Sequence, residues 1–176
     1  TGASWDASPS GTDANLVDVW GAAPDDVWAS GWSPTTGATL LRWNGASWRT
    51  VVDPTIDEPM RAQVTSLGGS GADDVWIVTD HFYPGSRASS SRWNGADFVT
   101  GPAGGYGWRH QLPRFGIWAP SPNDVWLAAF GNVEHWDGAT LSETPFHGLA
   151  TSGMYYGEPE FDIPLSHEPG GPLWAV

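Results

Sequence analysis

Short apolar stretches alternate with polar turns along the whole chain, and the same pattern returns after about 48 residues. A hydrophobic residue followed by Trp recurs at intervals of 48, 50 and 48 residues, at Val27-Trp28, Val75-Trp76, Val125-Trp126 and Leu173-Trp174. Pro and Gly interrupt nearly every connection, and no stretch has helical periodicity. The pattern predicts an all-β chain built from internal repeats.

Each repeat contains two turn signals. One stands just before the hydrophobic-Trp pair, as Asp25-Asp26, Asp73-Asp74 and Asn123-Asp124. The other follows it, as Asn44-Gly45, Asn94-Gly95 and Asp137-Gly138. Asn-Gly and Asp-Gly tolerate positive φ, so the second signal predicts a two-residue type I′ hairpin turn. Two turns per repeat predict four strands, a to d, which in the first repeat cover residues 16–20, 27–32, 39–43 and 47–52.

Repeats of this length with four strands and a shared Trp are typical of the blades of a β-propeller. The chain is predicted to be one propeller segment, residues 1–176, with complete blades at about 15–52, 63–100 and 113–143. Gly2-Ala3-Ser4-Trp5 repeats Gly45-Ala46-Ser47-Trp48, so residues 1–8 are predicted to be the leading d strand of a partial blade. Residues 162–176 are predicted to be a trailing a-b pair. We expect the remaining blades of a larger ring to come from the same precursor or from another chain.

Charge narrows the classes of partner. The chain has 20 Asp and Glu against 7 basic residues, all of them Arg, for a net charge of −13. Phosphate backbones and anionic lipids repel such a surface, so we expect no nucleic-acid partner. No apolar run of about 20 residues is present, so we expect no membrane insertion. An acidic, Gly-rich and Pro-rich β repeat favours an extracellular or cell-surface location.

Thirteen Trp residues raise the question of stacking on sugars. Eleven of them fall at repeated strand positions, where large rings are expected to fill the wedge between blades. Trp32 and Trp108 do not repeat, so they are candidates for binding. His135 stands where the other repeats have Arg42 and Arg92, and is therefore predicted to belong to the scaffold.

The longest and most variable connections are the b-c and d-a loops, which share one face of a four-stranded blade. Binding residues gather on such loops, and aromatic and Arg side chains anchor carbohydrate or protein ligands. The predicted ligand-binding residues are Trp32, His81, Tyr83, Tyr106, Trp108, Arg109, His110, Tyr155 and Tyr156. The alternative is that these aromatics pin the long loops to the scaffold.

Acidic residues on the same loops allow two other hypotheses. The first hypothesis is a cofactor site for Ca²⁺, whose hard oxygen ligands would be Asp57, Glu58, Glu158 and Asp162. Their order is not that of an EF-hand. A carboxylate pair for glycoside hydrolysis could be drawn from Asp53, Asp57, Glu58, Glu158 and Glu160. No Ser nucleophile elbow, phosphate loop or His-x-x-x-His motif occurs in the sequence.

The residues resemble a known class of repeat. Ser-Pro-Asn-Asp-Val-Trp at 121–126, followed by His-Trp-Asp-Gly at 135–138, resembles repeats of secreted bacterial propellers of the BNR (Asp-box) and kelch classes. Residues 23–28 and 42–45 look like the same unit, and the resemblance covers essentially the whole chain. It implies the propeller fold. Because the Ser-x-Asp-x-Gly order of an Asp box is missing and no sialidase-like Arg triad can be carried over, it implies no sialidase chemistry.

Three functions follow as hypotheses. The first is an extracellular, non-catalytic recognition module that binds a carbohydrate or protein through the b-c and d-a loops. The second is part of a secreted, glycoside-active hydrolase or lyase whose site is completed by missing blades or another chain. The third is a structural subunit of a larger assembly.

Overall fold

The computed structural model describes residues 6–56, 58–81, 88–102, 114–129, 132–145, 165–167 and 173–175. Within these ranges the regular structure consists of β-strands and one short 3-10 helix, Pro59–Arg61. The expected all-β fold is therefore confirmed. No helix in this part of the chain has the length and apolar character needed to cross a membrane.

The strands form three complete antiparallel sheets within the described ranges, each with its strands in chain order. Blade 1 contains β1 (Asn15–Ala23), β2 (Asp26–Ser33), β3 (Gly37–Trp43) and β4 (Trp48–Val51). Blade 2 contains β5 (Ala62–Gly71), β6 (Asp74–His81), β7 (Ser89–Trp93) and β8 (Phe98–Thr100). Blade 3 contains β9 (Arg114–Ser121), β10 (Asp124–Ala129), β11 (Asn132–Trp136) and β12 (Leu141–Pro145). A trailing pair, β13 (Leu165–His167) and β14 (Leu173–Ala175), follows.

Neighbouring sheets contact each other mainly through their first strands. Strand β5 contacts β1, β2 and β3, and β9 in turn contacts β5 and β6, while β13 contacts β9. The Asp18 carboxylate accepts a hydrogen bond from the Leu67 backbone N–H at 2.7 Å, which ties the inner strand of blade 1 to that of blade 2. This arrangement confirms a propeller segment of three complete blades and a trailing a-b pair. Residues 1–5 of the predicted leading strand lie outside the described ranges, and residues 6–14 form no strand.

The c-d turns differ from the prediction, because the two-residue type I′ turn is wrong. The first of these turns spans four residues, 44–47, of which Gly45 alone has a positive φ, 88°. The Asn44 side-chain oxygen accepts hydrogen bonds from the backbone N–H groups of Ala46 and Ser47, at 3.1 and 2.9 Å. Asn94 and Asp137 repeat the arrangement. The side-chain oxygen thus closes an Asx turn and satisfies two backbone N–H donors. In a tighter backbone turn these donors would need other acceptors.

A group of three side chains, which we call the Asp-Trp-Arg trio, recurs in every blade. It consists of an Asp on strand b, the Trp two residues later, and the Arg or His opposite that Trp on strand c. The Asp binds the Arg or His in all three blades, with Arg42 Nε–Asp26 Oδ1 at 2.7 Å, Arg92 Nε–Asp74 Oδ1 at 2.6 Å and His135 Nε2–Asp124 Oδ1 at 2.8 Å. His135 also stacks on Trp126 at 3.9 Å, where Arg42 lies 4.9 Å over Trp28. The prediction that His135 is a scaffold residue is confirmed.

The trio lies in the junction between one blade and the next. Trp28 is fully buried, and its ring packs against Trp93 and Phe98 of blade 2 at centroid distances of 6.1 and 6.3 Å. Trp76 is buried in the same way against Val125 and neighbouring residues of blade 3. Because full burial of a large ring contributes roughly 2–3 kcal/mol, these indoles are structural.

Candidate functional site

The two kinds of connection lie on opposite faces of the blades. On one face the short a-b and c-d turns are neighbours, since a Cβ added at Gly45 would lie 3.0 Å from the Asp25 Cβ. On the other face the b-c loop of blade 1 touches the d-a loop, since a Cβ added at Gly37 would overlap the Pro59 carbonyl oxygen. We call the second side the loop face.

A cavity of about 600 Å³ opens on the loop face of blade 1. Its walls come from the segment before β1, the b-c loop, and the d-a loop after β4. Its apolar lining includes the exposed Val52 and Pro59, the half-buried Ala38, Val51 and Ile56, and the buried Leu40. Four threonines also line the cavity: Thr12, Thr36, Thr39 and Thr50. Thr36 and Thr50 are exposed, whereas Thr39 is buried and its hydroxyl donates to the Gly37 carbonyl oxygen. The cavity therefore combines apolar contact with uncharged hydrogen-bonding groups.

Asp13 holds one wall in place. Its carboxylate accepts hydrogen bonds from Ser33 Oγ at 2.6 Å and from Thr35 Oγ1 at 3.0 Å, both in the b-c region of blade 1. The hydrogen bond from Ser33, followed by that from Thr35, lowers the pKa of Asp13 below its ordinary value. The carboxylate form is thus the one that tethers this wall, and the tether weakens when the pH falls through the lowered pKa.

Asp53 holds the opposite wall. One carboxylate oxygen accepts hydrogen bonds from the Thr55 N–H and Oγ1, at 2.8 and 2.7 Å. The other accepts from Ser91 Oγ on blade 2. Asp53 is buried, and it fastens the d-a loop across the blade junction rather than presenting a free carboxylate.

Two of the predicted ligand-binding residues lie in the described part of the chain. Trp32 is half-buried near the end of β2, opposite Ala38, which lines the cavity. His81 is half-buried at the end of β6, opposite Ala62. Both therefore lie at the loop-face ends of b strands, although neither lines the cavity itself. The other candidates lie outside the described residues, so their roles stay predictions: Tyr83, Tyr106, Trp108, Arg109, His110, Tyr155 and Tyr156.

Of the four predicted calcium ligands, the structure describes Glu58. Its side chain is exposed and lies 3.6 Å from Arg61 Nη1. The described ranges contain no group of three or more Asp, Glu, His or Cys residues that could hold a metal. Asp57, Glu158 and Asp162 lie outside those ranges, so the calcium site stays a prediction.

Sequence reasoning missed Asp80. It lies four residues after Trp76, in the place that Trp32 has after Trp28, and its partly buried side chain lies at the loop-face end of β6. Burial raises the pKa of Asp80, and the hydrogen bond from the His81 backbone N–H offsets only part of this effect. A desolvated carboxylate at the end of a loop-bearing strand is a candidate for ligand contact. Aligning the repeats at their Trp residues would have found this position, because it changes from Trp to Asp between two blades.

Comparisons with known proteins identify the fold. The sequence matches no protein family, and it matches no curated protein. Among solved structures, YCF48 bound to D1 peptide is similar with a TM-score of 0.57 and 15% identity, over 75% of this chain and 40% of that one. The six-bladed β-propeller lectin of Aleuria aurantia, a structure that describes a fucose recognition mode, gives a TM-score of 0.51 and 12% identity, over 76% of this chain and 46% of the lectin. This chain thus spans less than half of either propeller, and at these identities the similarity establishes the fold alone.

Two glycines test whether loop packing shapes the cavity. Gly11 and Gly37 both have positive φ, 73° and 79°, but a Cβ at Gly11 would meet nothing within 4 Å. Gly11→Ala should lower the free energy of unfolding by about 1 kcal/mol, the cost of the left-handed backbone. Gly37→Ala should lower it by roughly 3 kcal/mol, because overlap with Pro59 adds to that cost. Urea unfolding of both variants measures the difference, and equal losses would show that the two loops do not pack as described.

The partly buried carboxylate of Asp80 leads us to expect a pH dependence of stability. Because its pKa in the folded protein lies above the unfolded value of 3.8, its contribution is most favourable at lower pH and declines as the pH rises through the raised pKa. Asp80→Asn should therefore raise the free energy of unfolding at pH 7 and remove this decline. Denaturation from pH 3 to pH 8 measures it, with the exposed Asp6→Asn variant as control. An Asn variant that is less stable at pH 7 would contradict the assigned burial.

Proposed function

We propose that this chain is part of an extracellular, non-catalytic recognition module that binds a neutral carbohydrate on its loop face, in the cavity of blade 1. The observation that carries the proposal is the cavity itself, which brings the exposed threonines Thr36 and Thr50 together with apolar residues. The resemblance to secreted BNR and kelch repeats and the extracellular location belong to the same proposal.

The size and lining of the cavity suit one or two sugar rings. Its volume of about 600 Å³ lies within the range of small-ligand pockets. A pyranose has an apolar C–H face, which would lie on the exposed side chains of Val52 and Pro59, and a rim of hydroxyl groups. The Thr36 and Thr50 hydroxyls can each donate and accept a hydrogen bond, so they match sugar hydroxyls in either orientation.

Charge supports a neutral ligand. The chain carries a net charge of −13, so an anionic sugar would approach against the electrostatic field of the protein. The two carboxylates of the cavity, Asp13 and Asp53, are already engaged in internal hydrogen bonds. They support the walls instead of offering a hydrolytic pair, which favours binding without catalysis over the hydrolase hypothesis.

The propeller scaffold is compatible with the two ligand classes considered. The similar lectin recognises fucose, and the similar YCF48 structure holds a peptide. A concave site of this volume favours a small ligand over a flat protein surface. The aromatic candidates Trp108 and Tyr155 would extend the same loop face around that site.

Threonine variants test the proposal. Thr36→Val and Thr50→Val keep the side-chain volume but remove one hydroxyl each, and Thr100→Val, on the exposed strand β8 outside the cavity, is the matched control. Each cavity variant should weaken the affinity for a neutral glycan about fivefold, the equivalent of one hydrogen bond at ~1 kcal/mol. A glycan array identifies the ligand, and calorimetry measures the three affinities.

Unchanged affinity in both cavity variants would contradict the site, and failure of every neutral glycan to bind would contradict the ligand class. Mass spectrometry of the recovered glycan checks for catalysis. A shortened glycan would overturn the non-catalytic assignment.

A further inference from the structure

The two short turns of each blade meet through one acid and one amide. We call the side of the blades that carries these turns the short-turn face, and it lies opposite the loop face. In each blade one residue of the pair belongs to the a-b turn and the other begins the c-d turn. All six side chains are exposed. The acid and the amide are Asp25 and Asn44 in blade 1, Asp73 and Asn94 in blade 2 and, with the two turns exchanged, Asp137 and Asn123 in blade 3.

The a-b turn residue of each pair lies against the glycine of the c-d turn. A Cβ added at this glycine would approach the facing side chain closely in every blade, at 3.0 Å from Asp25 Cβ for Gly45, 2.5 Å from Asp73 Oδ1 for Gly95 and 2.7 Å from Asn123 Cγ for Gly138. Two carboxylates at such a contact would repel each other. Each blade avoids this repulsion, because the turn that faces the acid carries an amide.

The c-d turn of blade 1 holds an Asn-Gly bond that is open to hydrolytic deamidation. In this reaction the backbone nitrogen that follows Asn attacks the side-chain Cγ, and Gly has no Cβ to hinder the approach. Asn44 and Gly45 are exposed, so solvent reaches both groups. Negative charge develops on Asn44 Oδ1, which already accepts hydrogen bonds from the N–H groups of Ala46 and Ser47 at 3.1 and 2.9 Å. Donors at these distances stabilise an oxyanion.

The c-d turn of blade 2 offers the same surroundings. Asn94 is exposed and is followed by Gly95, and its Oδ1 accepts hydrogen bonds from the N–H groups of Ala96 and Asp97 at 3.0 and 2.9 Å. The other three Asn residues of the sequence precede a residue with a side chain, as in Asn15-Leu16, Asn123-Asp124 and Asn132-Val133.

We propose that Asn44 and Asn94 are sites of hydrolytic deamidation in the folded protein, with water as the co-reactant. The backbone nitrogen of the following Gly forms a bond to Cγ, the Cγ–Nδ2 bond breaks, and the Gly N–H proton leaves with the amide nitrogen as ammonia. Water then opens the resulting succinimide ring. Cleavage at Cγ gives Asp, and cleavage at the backbone carbonyl carbon gives isoaspartate. This inference does not depend on the carbohydrate cavity.

Blade 3 shows that the turn accepts the Asp product. Asp137 Oδ1 accepts hydrogen bonds from the N–H groups of Thr140 and Ala139, at 2.8 and 2.9 Å. The N–H of Thr140, followed by that of Ala139, lowers the pKa of Asp137, so the turn favours a carboxylate in this place. Isoaspartate would lengthen the backbone and could not repeat the turn.

The surroundings of the product differ between the blades. Asp137 faces the uncharged Asn123, whereas a carboxylate at position 44 would face Asp25. Deamidation in blades 1 and 2 would therefore keep the Asx turn but place two carboxylates where each blade has one. We expect the modified chain to be less stable for this reason.

Peptide mapping by mass spectrometry tests the modification. The folded chain is incubated at pH 8, and the same chain unfolded in guanidinium chloride is the reference. Asn44 and Asn94 should convert in the folded chain at a rate of the same order as in the unfolded chain, while Asn15 and Asn132 remain intact. Electron-transfer fragmentation separates Asp from isoaspartate. A folded chain that keeps both sites intact while the unfolded chain converts would overturn the proposal.

Product variants test the effect on stability. Asn44→Asp should lower the melting temperature by a few degrees at pH 7 and low salt, and added Asp25→Asn should restore it, as in the arrangement of blade 3. Salt should shrink the loss, because it screens exposed charges. Asn15→Asp makes the same charge change at an exposed position outside the turns and should have little effect. An Asn44→Asp variant as stable as the original, or a loss that Asp25→Asn does not reverse, would contradict the assigned repulsion.

Discussion

An indole buried between two sheets, beneath a paired guanidinium, is the interaction on which this structure depends. Trp28 and Trp76 each fill the wedge between their own blade and the next. Apolar burial alone would allow an indole many orientations, but the Arg over each ring and the buried Asp that binds this Arg fix one. In blades 2 and 3 the same Asp also accepts the indole N–H, at 3.1 and 2.9 Å. At the junction of blades 1 and 2 the buried indole N–H groups of Trp28 and Trp93 have no hydrogen-bond partner among the described residues.

The cavity depends on the packed blade beneath it and on two carboxylates that hold its walls. The short turns on one face are closed by side-chain oxygens, which leaves the opposite face free for longer connections. There Asp13 and Asp53 fasten the two walls to residues that the strands already hold in place. The shape of the cavity therefore follows from the packing of the blades. Because Asp13 and Asp53 hold the walls, the threonines of the lining remain available for binding.

Much of this architecture could be predicted from the sequence, because the buried positions recur once in every repeat. The recurring Trp residues gave the repeat, and the exchange of Arg42 and Arg92 for His135 was recognisable as one scaffold position. The turn geometry could not be predicted in the same way, because an Asn or Asp oxygen competes with the backbone for the same donors. The cavity escaped prediction because Thr12, Thr36 and Thr50 come from three separate segments that meet only after the blade has formed. Asp80 escaped because its partial burial has no signature in its own strand, and only an alignment of the repeats, in which Trp32 has the equivalent position, marks it.

The central claim is that the indole of one blade and the aromatic pair of the next form a single energetic unit. A double-mutant cycle of Trp28→Leu and Trp93→Leu, followed by urea unfolding, measures this most directly. We expect a coupling of about 1 kcal/mol between the two positions, as for packed aromatic pairs. Losses that simply add would mean that the blades stand independently, and would contradict it.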